Sequence, residues 1–223
     1  QSDQLGSAVF STLSSYITEN DLNGLRSFLN DSSDKVDERD DNGSTALIFA
    51  AAQGKVHLCR ELLLRGADVN AHDGDHWTAL ISAVNEGHLE VVTLLLEYKA
   101  DISQKDMCGW TPIIWASYKG HTNIAKVLLS RDADPNTLGS YHMNSLGWAS
   151  GRGHTDTAIA LLQHKAKVDI ADKFGTTPLI WACRKGHYDI AEALLKHGAN
   201  VDAAGMYSWT PLLVAVQGNF VDL

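Results

Sequence analysis

The sequence has no long apolar run. Its longest, Ala46 to Ala52, covers 7 residues, against the ~20 that a membrane-spanning helix needs, so no segment of this chain is expected to cross a bilayer. Cysteine is scarce: Cys59, Cys108 and Cys183 are odd in number, far apart and never in a C-x-x-C pair. That pattern argues against both a disulfide framework and a structural zinc site, and a reducing, cytosolic compartment fits it best. Proline occurs only 4 times in 223 residues and charged side chains make up only 20%, a composition that is neither disordered nor collagen-like. Positive charge is in deficit too, with 18 Lys and Arg against 27 Asp and Glu for a formal net charge of −9. Such a chain repels phosphate backbones and anionic lipid, so neither nucleic acid nor a membrane surface is expected as its partner. It opens on Gln1, without Met or an apolar signal segment, which reads as a piece cut from a longer protein.

What is present is a repeat of 33 residues. Thr45, Thr78, Thr111, Thr177 and Thr210 stand on one ladder of that step, with Asn144 on the missing rung. Gly54, Gly87, Gly120, Gly153 and Gly186 form a second, followed by His88, His121, His154 and His187. Leucine pairs form a third: Leu62-Leu63, Leu95-Leu96, Leu128-Leu129, Leu161-Leu162 and Leu194-Leu195. Three ladders in one register predict an all-α repeat solenoid built from a turn and two short helices per unit. The Thr caps the first helix, with Pro112 and Pro178 fitting the first helical position, where an N–H would go unpaired anyway. The ladder Gly ends that helix in a left-handed conformation, and Asn20 and Asn219 take its place in the outermost units.

The period, with Thr111-Pro112-Ile113 and Thr177-Pro178-Leu179 at its core, resembles the ankyrin repeat. The resemblance implies helix-turn-helix units joined by β-hairpin-like turns. We expect a single stack over 1–223: a degenerate unit at 5–33, five full repeats from about 36 to 201, and a truncated one from about 202 to 223. The end at Phe220-Val221-Asp222-Leu223 leaves an apolar face, and repeat stacks need polar terminal units, so the native chain is expected to continue. At the end of the second helix Gly66 and Gly198 mark the outer repeats, while Lys99, Asp132 and Lys165 hold the same slot in the middle ones. A left-handed residue is expected there too.

No catalytic constellation emerges, so the chain is not expected to be an enzyme, and no metal or cofactor is implied. The Gly-His histidines recur once per repeat and do not converge, as ligands of one ion must. They are expected to hydrogen-bond backbone near the next repeat's turn. Cys59 and Cys183 fall at helix positions that want small apolar residues, and Cys108 at a turn tip. The Gly147 to Gly153 segment lacks the spacing of a phosphate-binding loop, and the glycosylation patterns at Asn30 and Asn42 are turn residues.

The variable slots carry the functional signal. In each first helix three positions share a face: Phe49, Ala52 and Gln53, then Ser82, Asn85 and Glu86, then Trp115, Tyr118 and Lys119. They continue with Trp148, Gly151 and Arg152, then Trp181, Arg184 and Lys185, then Val214, Gln217 and Gly218. In ankyrin repeats this face lines the concave groove beside the turn tips, so the resemblance implies a groove. Three consecutive repeats place Trp in one slot with Lys or Arg one turn on, a local inversion in a chain of net charge −9. The turns add Trp77, Trp110, Met143 and Trp209, preceded by Asp75, Cys108, Tyr141, Phe174 and Tyr207 at the tips. Trp, Tyr and Arg dominate interface hot spots. The expectation is a peptide carrying apolar and acidic residues in the groove from Trp110 to Tyr207. The alternative is a spacer array in which the tryptophans pack between repeats.

Longer segments narrow the resemblance. V-D-E-R from Val36, W-T-A-L-I-S-A from Trp77, D-M-C-G-W-T-P-I-I-W-A-S-Y-K-G-H from Asp106 and D-K-F-G-T-T-P-L-I-W-A-C-R-K-G-H from Asp172 resemble the ankyrin-repeat-rich membrane-spanning scaffold family, also called kinase D-interacting substrate. The irregular repeat at Asn144-Ser145 with W-A-S-G-R-G-H after it, and V-A-V-Q-G at Val214, extend the likeness over nearly the whole chain from about Val36. That family implies a soluble fragment from the cytoplasmic face of a membrane-anchored, neuronal signalling scaffold. Its partners would be receptors, kinases and exchange factors for small GTPases.

Overall fold

The computed structural model describes residues 2–220, with side chains from Gly6 onward. Val221, Asp222 and Leu223 of the expected truncated repeat lie outside the described residues. The described residues form two compact units, divided between Met107 and Cys108. In the first, α1 (Ser2–Thr18), α3 (Ala46–Ala52) and α5 (Ala79–Glu86) pack side by side as a layer of first helices. Their partners α2 (Leu22–Asp31), α4 (Val56–Leu64) and α6 (Leu89–Glu97) form the second layer. The other unit repeats the scheme, with α7 (Pro112–Lys119), α9 (Ser145–Arg152), α11 (Pro178–Lys185) and α13 (Pro211–Gln217) in the first layer. Behind them stand α8 (Thr122–Ser130), α10 (Thr155–Gln163) and α12 (Tyr188–Lys196). This is the expected all-α repeat architecture; strand pairing among the described residues is limited to the single bridges Arg39–Thr45 and His72–Thr78.

Local chemistry sets these elements. The hydroxyls of Thr45, Thr78, Thr177 and Thr210 accept the backbone N–H three residues on, at 3.4, 3.2, 3.3 and 3.4 Å. Asn144, on the missing rung, caps more tightly, accepting from Gly147 N at 2.9 Å. Thr111 is the exception: its buried hydroxyl makes no cap. Left-handed residues end the first helices at Gly87, Gly120, Gly153 and Gly186, and Asn20 and Asn219 adopt φ of 56° and 59° in their place. Lys99, Asp132 and Lys165 are left-handed as well, at φ 65°, 64° and 66°. The first leucine of every pair is fully buried between the layers: Leu62, Leu95, Leu128, Leu161 and Leu194 each expose 0%, each contributing about 1.5–3 kcal/mol. Cys59 and Cys183 are buried filler as expected, and burial pushes their thiols up to about 12 and about 11.

The histidines are corrected in direction. His88 Nε2 lies 2.9 Å from the Ala52 carbonyl and His154 Nε2 3.0 Å from that of Tyr118. Each ring therefore reaches back onto the first helix of the preceding repeat, not forward to the next turn.

Two ladders that the sequence reading missed lock neighbouring turns. Asp37, Asn70, Asn136 and Asp169 accept the backbone N–H of Asp68, Asp101, Lys167 and Asn200 in the following repeat, at 3.1, 2.7, 2.8 and 3.0 Å. At the tips, Lys173 N donates to Tyr141 O at 2.8 Å and Met206 N to Phe174 O at 2.9 Å, which fixes the spacing of the aromatic fingers.

Candidate partner-binding surface

The tryptophans and cations come together in the C-terminal unit. Trp115 and Trp148 leave α7 and α9 from the same helical slot, and Tyr118 stands one turn beyond Trp115. Trp110 lies among them, with ring centroids 4.6 Å from Trp115, 5.1 Å from Tyr118 and 5.0 Å from Trp148. Tyr118 meets Trp148 edge-on at 5.1 Å, and such pairs add about 0.5–1.5 kcal/mol beyond area burial. The Arg152 guanidinium sits 4.1 Å above the Tyr118 ring. Trp110 was expected at the turn surface, but only 9% of it is exposed. Its place is beneath the cluster, where it props Trp115, Tyr118 and Trp148. Those three rings are partly buried, and Lys119 and Arg152 are exposed.

Trp181 is held differently. Its Nε1 donates to Asp172 Oδ2 at 3.1 Å, while Asp172 Oδ1 accepts from Phe174 N and Thr176 N, each at 2.9 Å. Asp172 is 8% exposed, so a buried carboxylate with three donors fixes both the turn and the indole. Trp148 Nε1, by contrast, is buried without a hydrogen-bond acceptor, so packing alone sets that ring. Arg184 places its guanidinium 5.1 Å from the Trp181 ring. At the tips Tyr141, Phe174 and Tyr207 are exposed, and the Lys173 ammonium lies 4.3 Å from the Tyr141 ring and 4.8 Å from that of Phe174.

These side chains enclose two open hollows. The first, about 400 Å³, is walled by Trp148 and Trp181, floored by Gly151 and Met143, and rimmed by Arg152 and Lys185, with Tyr141 and Phe174 at the tip side. The second, about 480 Å³, lies between Trp181 and Trp209, with Arg184 and Tyr207 on its edge. They share Phe174 and Trp181. Of the expected surface residues, Tyr141, Trp148, Arg152, Phe174, Trp181 and Lys185 line the first, and Arg184, Tyr207 and Trp209 join the second. Trp77 belongs to the N-terminal unit and lines neither; its backbone N–H donates to Asp73 Oδ1 at 2.8 Å.

Sequence reasoning missed Asp172. The signal was there, since Asp40, Asp73, Asp106 and Asp172 share one register with Gly139 and Gly205 at the remaining steps. Where Gly replaces Asp the turn carries two successive left-handed residues, Tyr141 and His142 at φ 61° and 55°, then Tyr207 and Ser208 at 60° and 58°. The exposed tyrosines thus sit on strained tips, and such strain clusters at binding sites.

No helix among the described residues is long and apolar enough to cross a membrane. A family model described as ankyrin repeats (3 copies) matches residues 13–106, 67–139, 101–172 and 146–223. No curated protein matches the chain.

Proposed function

We propose, since the chain belongs to the ankyrin-repeat family, that it is an interaction module binding an extended peptide along the Trp148, Trp181 and Tyr207 strip. Ankyrin repeats generally mediate protein–protein interaction. The observation that carries the finer reading is the alternation of partly open rings with exposed Arg152, Arg184 and Lys185 in a chain of net charge −9. Apolar side chains of a partner gain by covering indole faces, and its carboxylates gain by meeting the cations. A role as part of a receptor-coupled signalling scaffold at the cytoplasmic face of a membrane is supported by the sequence resemblance alone.

The test is selection of displayed random peptides on the immobilised chain, followed by calorimetry of the synthesised winners against wild type, Trp148→Ala and Arg184→Glu. Selected sequences are expected to combine acidic with bulky apolar residues. Each substitution should weaken them about 30-fold, the equivalent of ~2 kcal/mol. Unchanged affinity in variants that retain their circular dichroism would overturn the strip.

A further inference from the structure

The hollow between Trp148 and Trp181 exists because two slots that aromatic rings fill one repeat earlier hold a glycine and a methionine here. Trp110, Met143 and Thr176 share one slot at the 33-residue step, and Tyr118, Gly151 and Arg184 share another. Between Trp115 and Trp148 the gap is closed by Tyr118 and Trp110, whose ring centroids stand 5.1 and 5.0 Å from Trp148. Between Trp148 and Trp181 the same slots hold Gly151 and the flexible Met143, and about 400 Å³ stays open. Neither backbone nor crowding requires glycine at 151. The residue is not left-handed, and a Cβ there would meet the Trp181 ring at 3.5–3.7 Å, ordinary contact distance. Glycine within a helix instead costs up to about 1 kcal/mol relative to alanine. A position that breaks a local rule without a local reason is where function is to be sought.

We infer that this hollow is a specificity pocket, taking one bulky apolar or aromatic side chain of an extended peptide whose neighbouring carboxylates pair with Arg152 and Lys185. The inference rests on the interaction reading above and names the feature of the partner that is read. The walls are indole, phenyl and thioether, which reward an apolar guest. A cationic guest would face Arg152 and Lys185 with only Asp172 to attract it, and both Asp172 oxygens are already engaged by three N–H donors. A stacked nucleobase would bring a phosphate chain against the net charge of −9. An apolar side chain flanked by acids satisfies walls and rim together.

The probes are fluorescein-labelled, C-terminally amidated ten-residue peptides with a central Phe or Ala, flanked on both sides by Glu, Ser or Lys. Anisotropy is read against the whole chain. The Glu-flanked Phe peptide should bind about tenfold or more tightly than its Ala counterpart. Gly151→Leu, which fills the hollow, should erase that ratio while leaving the preference for Glu over Lys. The double change Arg152→Gln, Lys185→Gln should instead shrink the preference for Glu over Ser and spare the Phe-to-Ala ratio. Should Gly151→Leu fail to fold by circular dichroism, Phe174→Ser removes a wall at an exposed tip and carries the same expectation. Equal binding of Phe and Ala peptides, or a ratio that survives Gly151→Leu, overturns the pocket while leaving the strip intact. So does tighter binding of a labelled ten-residue uridine oligonucleotide than of any peptide. If no peptide binds, the pocket falls, and the strip is judged separately by the selected sequences.

Discussion

The His154 ring covers Gly120 so closely that a Cβ on Gly120 would lie 2.4 Å from His154 Nδ1. The same ring directs Nε2 to the Tyr118 carbonyl at 3.0 Å. The glycine ladder thus has two causes, a left-handed backbone and a neighbour's ring. A Cβ on Gly54 would likewise lie 2.6 Å from the His88 ring, and one on Gly153 2.7 Å from that of His187. At Gly186 the ring is that of Phe220, at 2.6 Å, standing on the histidine rung.

Gly120→Ala therefore meets both costs. The left-handed conformation alone is worth about 1–2 kcal/mol, and the His154 ring must also give way and stretch its hydrogen bond. A total loss of about 2–3 kcal/mol is expected in urea unfolding. In a His154→Ala background the steric part disappears and Gly120→Ala should cost only about 1–2 kcal/mol. Equal costs in both backgrounds would show that the two residues do not crowd each other.

Burial lowers the pKa of His154, with nearby Arg152 adding to the effect against the opposing hydrogen bond to Tyr118. A depressed histidine binds fewer protons folded than unfolded, so stability rises with pH between the folded value and the ordinary 6.5. Its contribution is complete above that ordinary value and declines as the pH falls through the window below it. Urea midpoints between pH 8 and 5 should fall more for wild type than for His154→Gln. Parallel curves would remove His154 from the acid response.

How much of this was readable beforehand follows from the range of each interaction. The Thr caps and left-handed glycines act within a few residues of themselves, so a single-residue ladder reveals them, and Asn144 and Asn219 obey the same chemistry. The histidine direction was not readable, because a 33-residue step looks the same forwards and backwards. Trp110 was placed at the surface because it shares a slot with Trp77 and Trp209, which stay partly open. What buries it is the meeting of Tyr118 from α7 of its own repeat with Trp148 from α9 of the next. The hollow needs Gly151 and Met143 small or flexible at once, from different slots, and only the packed structure shows that the two vacancies coincide.

Glu61 ties two repeats in the N-terminal unit. Its carboxylate accepts from Arg26 Nε at 2.8 Å and from Arg65 Nε at 3.0 Å, with only 7% of its side chain exposed. The Arg26 hydrogen bond, ahead of that from Arg65, holds its pKa below the ordinary carboxylate range despite burial. This contribution is complete above the ordinary 4.5 and is lost as the pH falls through the lowered folded value. Arg26 is 51% exposed on its side chain, so water screens the pair and Glu61→Gln should cost only about 1 kcal/mol at pH 7. At pH 3 the difference from wild type should be smaller; an undiminished one there would mean the carboxylate charge is irrelevant.

Lys165 holds φ of 66° in the slot where Gly66 and Gly198 hold 86° and 82°. A lysine side chain in that conformation opposes its backbone, and the hydrogen bond at this residue uses the main chain: its carbonyl accepts from Asn136 Nδ2 at 3.3 Å. Glycine would keep that bond and relieve the strain, at the cost of a more flexible unfolded chain. The two effects oppose each other and relief is the larger at a left-handed position. Lys165→Gly should leave stability unchanged or raise it by up to about 1 kcal/mol, read as a higher urea midpoint with an unchanged slope. Asp132→Gly, at φ 64°, should behave alike. A clear loss at Lys165 alone would mean that its ammonium, and not its backbone, contributes to the stack.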